Sequence, residues 1–171
     1  MPSMQRSMLA LAVVLAGCGG AAPRTETSAH ETAAPEYAAP SRPWAELDHD
    51  ARRAHMVQHV LPRTSELFTS YDDTRYADFS CATCHGAGAS ERNFAMPNPA
   101  LITLYPTGSI GQEAVLAEYT ATCTFMYSRL VPAVVAMLGA SEYDPATRSG
   151  FSCFSCHPRA EQSDPRSAPA R

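Results

Sequence analysis

The chain contains no lysine, and its thirteen basic residues are all arginine. Against 17 acidic residues these leave a formal net charge of −4, with no basic stripe along any segment. That balance excludes nucleic-acid binding as a leading class. The missing lysine reads as a genome composition bias, although guanidinium groups also pair well with carboxylates. Tryptophan is nearly absent: Trp44 is the only one, placed where it would seal an edge of a core. The apolar run at the start, Met8 to Ala16, is too short to cross a bilayer. No second constellation of acid, base or nucleophile accompanies the cysteine motifs described next, which speaks against an enzyme.

What is present is a five-residue pattern that occurs twice, Cys81-Ala82-Thr83-Cys84-His85 and Cys153-Phe154-Ser155-Cys156-His157. C-x-x-C-H is the attachment sequence for c-type haem. Two thiols at this spacing can each form a thioether to one vinyl group, and the following histidine reaches the iron from the proximal side. The pattern predicts two covalent haems, held by Cys81, Cys84, Cys153 and Cys156 and ligated by His85 and His157.

The start of the chain agrees with this chemistry. Arg6 and the Met8–Ala16 run form an export signal over 1–17. The run ends in Leu15-Ala16-Gly17-Cys18, which resembles the bacterial lipobox. The resemblance implies cleavage before Cys18, lipidation of that cysteine, and stable anchoring by several acyl chains. Gly19 in place of Asp implies the outer membrane more than the inner one. Residues 18–43 are rich in Ala, Pro, Thr, Glu and Ser without apolar periodicity, as expected of a flexible tether. One folded domain is expected over 44–159. A disordered tail is expected over 160–171, which is rich in Pro, Ser and Arg.

The folded part repeats itself. Met56-Val57-Gln58-His59-Val60-Leu61-Pro62 matches Met126-Tyr127-Ser128-Arg129-Leu130-Val131-Pro132. Apolar pairs follow at one offset, Leu67-Phe68 and Met137-Leu138, then acidic loops starting at Tyr71-Asp72 and Tyr143-Asp144. Each unit closes with Phe-Ser-Cys, and a two-residue loop insertion accounts for their difference in length. The apolar spacing predicts a helix in each unit, kinked or begun at Pro62 and Pro132. The fold class expected is therefore mainly α: a small dihaem domain of two helix–loop–CxxCH units with long loops and little or no β.

A methionine-bearing helix, a loop and a C-x-x-C-H together resemble the unit of the multihaem cytochrome subunit of photosynthetic reaction centres. The chain is also similar to small dihaem c-type cytochrome lipoproteins. In register with both copies, Met56 and Met126 are the expected distal iron ligands. His55 and His59 compete with Met56 for the first iron, and Met96 stands in a Met-Pro loop reminiscent of monohaem cytochromes. Cys123, the remaining thiol, reads as a small buried apolar residue or as a disulfide partner. Arg75 and Arg148 occupy matching loop positions suited to haem propionates.

These readings lead to a membrane-tethered periplasmic or outer-membrane carrier of single electrons that serves redox protein partners. Two alternatives compete with it. One is a dihaem peroxidase-like enzyme, which needs an open iron; the other is a structural zinc or disulfide-bearing lipoprotein using the same cysteines.

Overall fold

Two long helices packed antiparallel organise the molecule. In the computed structural model, residues 37–170 are described and belong to one compact unit, Pro35–Arg171. Cys18 and the rest of the expected signal and tether up to residue 36 lie outside the described residues. The first long helix spans 49–71 and the second is Thr120–Leu138. Among the described residues the β content is limited to isolated bridges with no sheet, so the mainly α expectation holds.

Each long helix is interrupted at the same place. The first runs as α (His49–His55), π (Met56–Val60), then α (Leu61–Tyr71). The second runs as α (Thr120–Phe125), π (Met126–Leu130), then α (Val131–Leu138). Both π segments begin at the repeat methionine and end just before the repeat proline. The reason is steric. Pro62 and Pro132 have no N–H to donate, and their rings would press on the carbonyl one turn earlier. A wide turn there relieves the clash while the helix continues, as π turns commonly do.

Local chemistry sets the ends. The Asp48 carboxylate accepts from the Ala51 N–H at 2.8 Å, capping the first helix. Gly139, in the left-handed region, ends the second after Leu138. Between them, Ile110–Glu118 starts at Ser109, whose hydroxyl accepts from the Gln112 N–H at 3.2 Å.

The crossing of the two helices is read from their contacts. Val60, Ala133 and Met137 are buried together, with Met56, Leu67, Val134 and Leu138 packed against them. Further along, Tyr71 stacks on Phe125 with centroids 4.5 Å apart, and its hydroxyl hydrogen-bonds Thr122 at 2.9 Å. Phe68 meets Phe125, Tyr76 and Phe79 at 4.7 to 5.2 Å. Such aromatic pairs each add about 0.5–1.5 kcal/mol beyond burial. Phe79 stands two residues before Cys81, so this cluster ties the first C-x-x-C-H motif to both helices.

Two boundaries differ from the sequence expectation. Tyr37 packs on the interhelical cluster and lies under the Arg63 guanidinium, so folded structure begins ahead of residue 44. The expected disordered tail is docked. Ala160 is buried and donates to the Leu104 carbonyl at 2.8 Å, and Ala170 donates to Gly108 at 2.9 Å. Backbone bonds and the Arg166 guanidinium over Tyr105 hold it, and composition carries no sign of either. On the other side, Trp44 packs edge-on to His55 and under Arg52.

Candidate functional site

Both C-x-x-C-H motifs begin at a serine that caps its own turn. The Ser80 N–H donates to the Thr83 hydroxyl, and the Ser152 N–H to the Ser155 hydroxyl, each at 3.0 Å. The hydroxyl residue inside each motif thus closes the turn that presents the cysteines. Cys81–His85 completes an α turn, whereas Cys153–Ser155 forms a single 3-10 turn. The acidic loops also match. Asp72 accepts from the Arg75 N–H and Asp144 from the Ala146 N–H, each at 2.8 Å. The latter bonds hold the Asp144 carboxyl below its usual range.

One buried residue joins the motifs. Asn98 is 1% exposed. Its side-chain amide donates to the Cys84 carbonyl at 3.0 Å, and its backbone N–H donates to the Cys156 carbonyl at 3.0 Å. Its side-chain oxygen accepts from the Ala100 N–H at 3.0 Å. Gly86 makes room for it: a Cβ there would stand 2.9 Å from that oxygen, and its φ of +83° also favours glycine. The role of Asn98 was missed because Met96-Pro97-Asn98-Pro99 shows only as a loop signal.

One thiol of each motif, Cys84 and Cys156, is sheltered, whereas Cys153 is exposed. Burial pushes Cys84 up to about 12, and the neighbouring Cys156 and Cys81 thiols add to it. Burial likewise raises Cys156 to about 11, with Cys153 contributing. Cys123 is raised by burial, and the Cys153 thiol adds to it. These are protonated thiols in apolar surroundings. Among the described residues no three His, Cys, Asp or Glu side chains converge as a metal-ion site.

The histidines are placed differently. His157 Nδ1 bonds the Ile102 carbonyl at 3.0 Å. As donor there, Nδ1 leaves Nε2 with a free lone pair, the arrangement a metal-ligating histidine uses. His85 Nδ1 is buried without a hydrogen-bond partner. Burial lowers the pKa of His85, the Phe94 carbonyl beside the ring works the other way without aligning as a bond, and Arg92 lowers it further. The His85 ring meets Phe94 edge-on at 5.6 Å.

Other expected residues fall as follows. Met56 is half-buried on the interhelical cluster, and Met126 is half-buried at the matching position one turn after Cys123. His55 is buried with Nε2 donating to the Met137 carbonyl at 2.7 Å, and His59 lies against it at 4.9 Å. The bond gives His55 a structural task in joining the helices. Arg75 lies over Tyr76, and Arg148 is exposed with a φ of +54°. Neither belongs to an ion pair among the described residues.

The donor set fits c-type haem. Each motif offers two thiols for thioethers and one imidazole, and the Ile102 carbonyl orients the second imidazole. Apolar surface is at hand. The second long helix is apolar enough to cross a membrane, yet only 22% of its apolar window is buried. A cavity of about 360 Å³, lined by Ile102, Tyr105, Val115 and Tyr119, opens at the residue that holds His157. No protein-family model, curated protein or solved structure matches the chain.

Proposed function

We propose that the protein is a lipid-anchored dihaem c-type cytochrome that carries single electrons between redox proteins on the periplasmic side of the cell envelope. The observation that carries this reading is the pairing of the two C-x-x-C-H motifs through Asn98, whose bonds to Cys84 and Cys156 set both attachment turns side by side. Neighbouring attachment points suit electron passage within one small domain. Bound haem supplies an iron that gains and loses one electron. Cys81 and Cys84 hold one group and Cys153 and Cys156 the other, while His85 and His157 provide the proximal nitrogens. Met56 and Met126, each leading a π segment, are the proposed distal ligands. Irons held by these histidines and methionines would offer no position to a substrate, in keeping with a carrier.

Few apolar residues are buried among the described residues, and three of those nine are alanines, which supports the same reading. Two haems would add apolar bulk that a domain of this size otherwise lacks. The test is stoichiometry. Protein made with the haem-attachment machinery and then denatured should retain two haems per chain by mass. One haem or none would overturn the reading.

A further inference from the structure

We propose that the chain gives its two haems unequal potentials, the one ligated by His85 being the higher, so that a single electron rests there and not at His157. This rests on the dihaem reading above and adds an order of electron flow to it.

Three observations carry the inference. His157 donates Nδ1–H to the Ile102 carbonyl at 3.0 Å. Such a bond lends the ring anionic character, strengthens Nε2 as a donor to ferric iron and lowers the potential. His85 Nδ1 is buried with no aligned hydrogen-bond partner, so its ring gains less of this help than that of His157.

The second observation is a charge. Arg92 donates from its guanidinium to the His85 carbonyl and is half-buried. A cation held there opposes the added positive charge of ferric iron and raises the potential. Its acidic neighbour Glu91 accepts instead from the Ser90 hydroxyl at 3.1 Å. Near the second motif, Arg159 lies over Phe154 at 4.8 Å and is exposed, where salt and solvent screen it.

The third observation is burial. Cys81 and Cys84 are both half-buried, whereas Cys153 is exposed. A drier setting favours the less charged ferrous state. With like distal ligands, all three effects act in one direction.

Redox titration of the dihaem protein, followed by haem absorbance, should resolve two one-electron steps. Arg92→Gln keeps a donor for the His85 carbonyl and removes the charge. It should lower the upper step by about tenfold in reduced-to-oxidised ratio, or about 59 mV for one electron, and leave the lower step in place. A Cys153→Ala, Cys156→Ala variant, carrying only the His85 haem, should titrate near the upper step. If that variant fails to fold, the Arg92→Gln shift decides alone. Coincident steps, a lone His85 haem at the lower step, or an Arg92→Gln shift absent or confined to the lower step would each overturn the proposal. A colourless protein would remove the dihaem reading itself, and is seen before any titration.

Discussion

Asn98 donates its backbone N–H to the Cys156 carbonyl at 3.0 Å, while its own side chain holds Cys84 from the other motif. A fully buried amide with these partners is costly to replace. Asn98→Leu strands the Cys84 carbonyl and the Ala100 N–H, and should destabilise the fold by about 1–3 kcal/mol. Gly86→Ala should also destabilise, because the new methyl meets the Asn98 amide at a positive φ. Denaturant midpoints would measure both, and an Asn98→Leu variant as stable as the parent would remove the clasp from the account.

Met56→Ala and Met126→Ala should each open one iron to carbon monoxide and lower one potential, leaving the other haem nearly unchanged. The check is the methionine-to-iron charge-transfer absorption, expected to lose about half its intensity in either variant. Full intensity in the Met56 variant would pass the role to His59 or Met96.

Thiol labelling of the haem-free chain should follow burial. Cys153 is exposed and should react first, whereas Cys84, pushed up to about 12, should react last. The linked stability has a definite sign. The folded state holds the Cys84 and Cys156 protons more tightly than the unfolded chain, whose ordinary value is 9.0. Their contribution is therefore fully present below pH 9 and declines as pH rises toward about 11 and 12. Melts at pH 8 and pH 10.5 should differ in that direction. Equal melts would mean that the thiols are open to water.

Cys18→Ala should move the protein from the membrane fraction to the soluble fraction of a cell extract. Retention in the membrane would instead point to a protein partner that holds it there.

The long helices were legible in the sequence because apolar spacing and a duplicated Met-to-Pro segment mark them twice. Pro62 and Pro132 announced an irregular turn, although whether it would be a break or a widened turn depended on packing between the helices. Asn98 was not legible, since its bonds go to backbone carbonyls whose position depends on both motifs being folded. The Ile102 carbonyl that orients His157 was hidden for the same reason: a main-chain group has no sequence signature. The docked residues 160–170 were misread because polar composition resembles disorder even when main-chain bonds and one arginine–tyrosine stack hold the segment.

That docking has a consequence for the pathway of folding. The Ile110 N–H, at the start of a helix, donates to the carbonyl of Ala168, and Ala160 donates to the Leu104 carbonyl. Partners so far apart along the chain meet only after the segment between them, with the second long helix and the second C-x-x-C-H motif, has closed as a loop. The Arg166 guanidinium that lies over Tyr105 arrives only then.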